Sequence, residues 1–399
     1  MKVLMLTPYL PYPDSSGGQI RTQNLLKHLH KKNDITLISL IKDKSENKYK
    51  KHLLKYCKKV ITLERSKSPW TLRNILETGF SLKPFLIVRN SVHGAQAIVR
   101  KELEEGDYDL IHAETFYVMP SIPETKIPII LVDQTIEYLV YQHYVDQTAH
   151  PLIKPLLNID VAKLKYWEKY YWKKANQVVA VSKDDQIEMK KLVPQMDVKI
   201  VPNGVNLSLF RKKTKWSSKN PIVLQISNFK WLQNVEAAKM LLTKVFPLVK
   251  KKLPQAILQI VGQHIPDDIK SFANDYTLIK DVPEEDVKSL VDAWHDADVF
   301  ASTIKGPGGT RLKNLAAMAS QLPIVSTRVG IQGLGVKDKI HVLIGDTPKD
   351  LSDKIISVFK NPQLAQKLGT NSRKLVEEKF DYQSISEILN DIYQKLGKK

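Results

Sequence analysis

Short apolar runs of strand length recur along the whole chain, each followed by an amphipathic stretch long enough for a helix. In the first half the runs are Val3–Leu6, Ile35–Leu40, Val60–Leu63, Leu110–His112, Ile127–Val132 and Val178–Val181. In the second they are Ile222–Ile226, Ala256–Val261, Thr277–Ile279, Val299–Ala301, Pro323–Ser326 and His341–Ile344. Continuous apolar runs belong to strands buried on both faces, and strands alternating with helices imply parallel sheets. Two such series predict an α/β chain of two doubly wound, Rossmann-like domains. The length of 399 residues also suits two domains better than one core. The expected division is a first domain over 1–182 and a linker region over 183–220, marked by the turn signal Asn203-Gly204. A second domain over 221–375 and a C-terminal helical segment over 376–399 follow.

One cysteine, Cys57, excludes an intramolecular disulfide and suits a reducing compartment. The opening Met1-Lys-Val-Leu-Met-Leu-Thr-Pro8 is too short for a signal-peptide core, and no run approaches membrane-spanning length. A cytoplasmic location is expected. The net charge of +19 admits nucleic acid, an anionic membrane surface, or solvated lysine-rich helix faces. The segment Lys42–Lys59 carries Lys48, Lys50, Lys51 and Lys55 around a narrow stripe of Leu53, Leu54 and Cys57, and reads as a basic amphipathic helix. Downstream, Trp70, Leu72, Ile75, Leu76, Phe80 and Phe85 are interspersed with Arg65, Lys67, Arg73 and Lys83. That mixture suits an anionic lipid surface, such as the inner face of the cell membrane, with a merely solvated face as the competing reading. No zinc spacing, helix-turn-helix pattern or aromatic RNA-binding signature appears, so no nucleic-acid partner and no metal are expected.

Two loops stand out as anion sites. Gly306-Pro-Gly-Gly-Thr-Arg-Leu-Lys313 runs from a strand end through glycines into an abruptly started helix, whose first N–H groups lack intrahelical partners. Gly308 and Gly309 let a phosphate approach the backbone, Thr310 can cap the helix, and Arg311 and Lys313 add positive charge. In the first half, Tyr9-Leu-Pro-Tyr-Pro-Asp-Ser-Ser-Gly-Gly18 leads into a helix over Gln19–His30, with Gly17 and Gly18 placed to expose N–H groups and Arg21 in the first turn. In open α/β sheets such loops lie beyond the strands' carboxyl ends, where ligands bind. Lys230, after the first strand of the second series, can reach a phosphate or remain a surface lysine.

These residues, with Asp109-Leu-Ile-His-Ala-Glu114, Glu168, Ala180-Val-Ser182, Val201-Pro-Asn-Gly-Val205, Trp231, Asn234 and Ala317-Met-Ala319, resemble the retaining glycosyltransferases of family 4, which have the GT-B fold. The resemblance covers nearly the whole chain. It implies a nucleotide-diphosphate sugar as donor substrate, bound mainly by the second domain in a cleft between the two, and no separate cofactor. It implies a glycan or lipid-linked acceptor, as in polysaccharide or glycolipid synthesis, and a last helix that packs back on the first domain. The leaving diphosphate would be stabilised by cations and main-chain N–H groups. Among the matching positions, Glu114, Arg311 and Lys313 are the catalytic candidates. Gly17, Gly18, Lys230, Gly308, Gly309, Thr310 and Ala316 are the donor-binding ones. Ala316 departs from the family, because it stands where the second of a pair of glutamates belongs and that carboxylate normally accepts from ribose hydroxyls. Glu284 or Glu285 could replace it. The departure motivates the alternative of a catalytically impaired homologue that serves as a binding or partner subunit.

Overall fold

The computed structural model describes residues 1–13, 15–283, 286–306 and 309–397. It divides into two compact units, one of residues 1–202 with 383–399 and the other of residues 203–382. The expected linker region over 183–220 is therefore corrected. Residues 183–202 continue the first unit through a helix, Lys183–Leu192, and a strand that the sequence pattern had not marked.

The first unit is a seven-stranded parallel sheet. Its strands are β1 (Lys2–Thr7), β2 (Asp34–Ile41), β3 (Lys59–Glu64), β4 (Leu110–Glu114), β5 (Ile129–Asp133), β6 (Gln177–Ala180) and β7 (Val198–Ile200). Their order across the sheet is β3-β2-β1-β4-β5-β6-β7. The second unit's sheet has β8 (Ile222–Asn228), β9 (Ile257–Gln263), β10 (Thr277–Asp281), β11 (Val299–Ser302), β12 (Ile324–Ser326) and β13 (Leu343–Ile344), in the order β10-β9-β8-β11-β12-β13. Each order reverses direction after the unit's first strand. Each unit therefore has a crevice at its strands' carboxyl ends, beside β1 and β4 in one and β8 and β11 in the other. The apolar runs are buried because helices cover both faces: Leu4, Ile111, Leu131 and Val178 join one core, and Val223, Leu258, Ile260 and Val299 another.

Close strand packing fixes the edge of the second crevice. A Cβ on Gly262 would overlap the main-chain oxygen of Ser227 on β8, which cannot give way as a flexible side chain could. The expectation for Lys42–Lys59 is corrected too. The segment is a 3-10 turn, Lys44–Tyr49, then one helical turn, Lys50–Leu53, with Asp43 and Glu46 forming a capping box. Leu53 and Cys57 are buried but Leu54 is not, so the apolar stripe is too short for a longer helix before the chain enters β3. Lys48, Lys51 and Lys55 are exposed and Lys50 is half-buried.

Gly262→Ala is expected to destabilise the protein by roughly 1–3 kcal/mol, through overpacking against backbone. Urea unfolding at constant m-value measures it; an unchanged midpoint would contradict the assignment.

Candidate functional site

At the carboxyl edge of the first sheet, a buried polar network joins four segments. Ser16 caps the helix Gly17–Leu29 by accepting from Gln19 N, two residues earlier than the sequence pattern suggested. Gly17 is exposed at its start and Gly18 is half-buried. A Cβ on Gly18 would overlap the Tyr9 hydroxyl, so glycine is required there for the close approach of that ring. One turn on, Arg21 is fully buried. Its Nη1 donates to Pro202 O at 2.6 Å and its Nη2 to Val201 O at 3.0 Å. Its Nε lies 3.7 Å from Glu114 Oε1, which also accepts from Gln134 Nε2 at 2.5 Å. Gln134 in turn donates to Tyr9 Oη at 3.1 Å.

His112 and Glu114, two apart on β4, project to one side of the strand. His112 Nε2 donates to Glu114 Oε2 at 2.7 Å, and His112 Nδ1 meets the hydroxyl of Tyr393 on the last helix, Tyr382–Leu396. Burial opposes the charged carboxylate of Glu114. The His112 hydrogen bond, the Arg21 charge and the Gln134 hydrogen bond outweigh it, holding the pKa below the usual carboxylate value. Burial and the Glu114 charge push the Tyr393 hydroxyl well up, so it stays protonated and donates to His112. Glu114 was a catalytic candidate, but it is 1 % exposed and both its oxygens are engaged. In this structure Glu114 holds Arg21, Gln134 and His112 in place.

In the second unit, the helix Leu312–Ala319 starts at Arg311, whose extended backbone makes it the N-cap. No side chain caps this helix. Thr310, expected to do so, is buried with its hydroxyl unbonded among the described residues. It precedes the N-cap and so lies one residue too early. Lys313, in the first helical turn, is half-buried. Its Nζ donates to Ser227 Oγ at 2.8 Å and to Asn234 Oδ1 at 2.7 Å. Asn234 is itself fixed by donating to Asn228 O at 2.7 Å, and Asn228 donates to Gln263 Oε1 at 2.9 Å. Both oxygens on the ammonium are neutral. Burial, and secondarily the Arg311 charge, push the Lys313 pKa down to about 7.

Arg311 Nη2 donates to Gly306 O at 2.9 Å. Gly309 lies just before the helix and is half-buried, while Gly308, Glu284 and Glu285 fall outside the described residues. Buried Asn314 donates to Gly330 O at 2.6 Å, tying the helix to the loop after β12. Ala316 is half-buried against the apolar cluster of Leu315, Ala317 and Met318. Lys230 is exposed, and its main-chain N–H donates to Asn228 Oδ1 at 3.0 Å. Sequence reasoning missed Ser227 and Gln134 as partners. Their one legible signal was position, at or just past a strand's carboxyl end. Among the described residues, no three His, Cys, Asp or Glu side chains are placed to share a metal ion, and no helix is long and apolar enough to cross a membrane.

Comparison with known proteins follows the two-unit division. The family Glycosyltransferase Family 4 matches residues 15–209 and the family Glycosyl transferases group 1 matches residues 220–361. An uncharacterised 44.6 kDa protein in the cps region of Klebsiella pneumoniae is 22 % identical over 398 residues, covering 96 % of this chain and 97 % of its own. Among solved structures, sucrose-phosphate synthase from Thermosynechococcus elongatus superposes with a TM-score of 0.72 at 16 % identity, covering 99 % of both chains. HepE of Anabaena, in complex with UDP and glucose, superposes with a TM-score of 0.65 at 13 % identity, covering 99 % of this chain and 100 % of that one. At such identities the superpositions establish the fold, two parallel-sheet Rossmann-like domains of GT-B type.

Glu114→Gln leaves the Arg21 charge buried without its counter-charge and is expected to cost roughly 3–5 kcal/mol. Chemical denaturation at pH 7 checks it; a loss below about 1 kcal/mol would show the pair to be incidental.

Proposed function

For a chain that belongs to the GT-B glycosyltransferases, we propose transfer of a sugar from a nucleotide-diphosphate donor to a glycan or lipid-linked acceptor, with retention, in cell-surface polysaccharide synthesis. One observation carries the donor assignment. Lys313 stands at an uncapped helix start with neutral oxygens for partners, so the site has a positive charge and main-chain N–H groups that an anion can take. A diphosphate accepting from Lys313 would replace Ser227 and Asn234 as its partners. The same cation would then offset the charge that grows on the leaving diphosphate as the glycosidic bond breaks. Arg311 is assigned to the same charge. The amides from Gly309 to Arg311, together with Gly308, Thr310 and Lys230, are assigned to donor phosphate contact. Gly17 and Gly18 of the first unit are likewise assigned to an anionic substrate group. The UDP and glucose bound by HepE support a nucleotide sugar as the donor class, and the cps-region relative supports the polysaccharide setting.

Retention is proposed to proceed by front-face displacement. Glu114, 1 % exposed, is assigned to holding the charged groups around it in place, in a step that draws no nucleophile or base from the protein. Ala316 removes a ribose contact, worth roughly 1.5–3 kcal/mol for a charged hydrogen bond. That weakens donor binding while leaving the phosphate contacts in place. The exposed lysines 48, 51 and 55, with Lys50 and with Trp70 beyond β3, are assigned to an anionic membrane surface beside the acceptor.

Lys313→Ala is expected to weaken nucleoside diphosphate binding by about 10- to 150-fold in calorimetry. The free ammonium titrates near 7, and bound phosphate favours its charged form. Affinity should therefore fall as pH rises from 7 to 9, with proton uptake on binding. Equal affinity in both proteins would remove Lys313 from the site. Reversing the charges at Lys48, Lys50, Lys51 and Lys55 should reduce co-sedimentation with anionic vesicles; unaltered sedimentation would assign those lysines to solvation alone.

A further inference from the structure

Two arginines near the carboxyl edge of the first sheet each bury an Nε–H that has no acceptor among the described residues. Arg65 directly follows β3, its main-chain N–H held by Ile41 O at 2.9 Å. Arg89 lies on the short helix Phe85–Asn90. The Nε of each is buried and makes no hydrogen bond among the described residues. Burial first, and then the neighbouring Arg89 charge, lower the pKa of Arg65. Tyr117, on the 3-10 turn after β4, lies in the field of both, and Glu137 after β5 lies in that of Arg89. Glu46, whose charge acts on Arg65, makes no hydrogen bond to it, and its Oε1 accepts from Lys42 N at 2.8 Å and Asp43 N at 3.1 Å. Unanswered guanidinium donors are costly to bury, and two side by side more so. A planar guanidinium matches the paired oxygens of a phosphate.

The chain between these arginines is unusually apolar on its outer side. Trp70 is 62 % exposed and stacks on Phe85 with ring centroids 4.6 Å apart. The helix Leu72–Phe80 and the turn after it expose Leu72, Phe80 and Leu82 by 73 %, 90 % and 82 %. This segment is fastened through its main chain. Lys163 Nζ donates to Thr78 O and Ser81 O, each at 2.8 Å, and Trp167 Nε1 donates to Leu82 O at 2.8 Å. Both donors lie on the helix Lys154–Lys174, which also exposes Leu156 and Ile159. The segment is thus held from behind by its carbonyls, and its apolar side chains face outward. Scattered exposed leucines are ordinary, but a contiguous set on a fastened element marks an interaction surface.

We propose that this face holds the acceptor as a lipid carrying a phosphate or diphosphate head, with the head between Arg65 and Arg89 and the hydrocarbon chain over Trp70, Phe80 and Leu82. The assignment rests on the transferase reading and specifies its acceptor class. The charge and the apolar surface are contiguous in sequence, and each requires the opposite end of the same amphiphile.

Calorimetry of the full chain with excess UDP present, using farnesyl diphosphate, inorganic pyrophosphate and farnesol, tests it. Farnesyl diphosphate should bind at least about tenfold tighter than either fragment. R65Q/R89Q, checked for native circular dichroism, should lose about tenfold or more for both phosphate compounds. R65K/R89K should lose less, and it serves as the test variant if the glutamine pair does not fold. F80S/L82S should lose only the advantage that the farnesyl chain confers. Wild-type affinities in the folded arginine variants, or no gain from the chain, would overturn the proposal. So would sedimentation with phosphatidylglycerol vesicles that ignores the arginines while farnesyl diphosphate fails to bind, an outcome that assigns the face to bulk membrane. Nucleoside diphosphate binding without arginine-dependent farnesyl diphosphate binding would sink this assignment alone; the converse result would sink the donor reading alone.

Discussion

Every strand in each sheet runs the same way, and that single constraint decides where chemistry can occur. A parallel sheet brings all its carboxyl ends to one edge, and the order reversal beside β1 and β8 opens that edge into a crevice. What each unit then does with its crevice is to lock a cation from the following helix onto oxygen acceptors. In the first unit the cation is Arg21, held by two carbonyls and balanced by Glu114. In the second it is Lys313, held on a serine and an asparagine with no carboxylate bonded to it among the described residues. The difference in counter-charge divides the two roles. The balanced cation organises structure, tying the helix after β1 to β4 and to the segment entering at Val201. The other rests on two neutral oxygens, and the proposed donor site is built on it.

The two sheets were legible in the apolar runs because buried parallel strands carry a strong, continuous signal. β7 was not: its three residues, Val198-Lys199-Ile200, form an edge strand too short and too polar in its middle to register. The boundary between units was misplaced for the same reason. The basic segment after β2 carried the right charges but the wrong shape, since helix length depends on how many apolar side chains find a core and here Leu54 does not. The helix start after the glycine loop was readable, whereas the cap was not. Whether Thr310 or Arg311 ends the loop depends on a backbone angle that residue types do not fix.

Side-chain partnerships were the least legible. His112 and Glu114 share a strand face by simple alternation, yet Gln134, Tyr9 and Tyr393 come from places distant in sequence and meet only through the fold. Their convergence makes Glu114 the support on which Arg21, Gln134 and His112 rest. Ala316 fits the same logic in reverse. With a methyl group packed beside Leu315 and Met318, Ala316 adds to the helix's hold on the core, beside Lys313 and the helix start.

The most direct test of this account is a crystal structure with a bound nucleoside diphosphate. The account predicts the diphosphate at the start of the helix Leu312–Ala319, accepting from its main-chain N–H groups and from Lys313, whose Nζ has left Ser227 or Asn234. A nucleotide bound elsewhere, with Lys313 still on both of those oxygens, would contradict it.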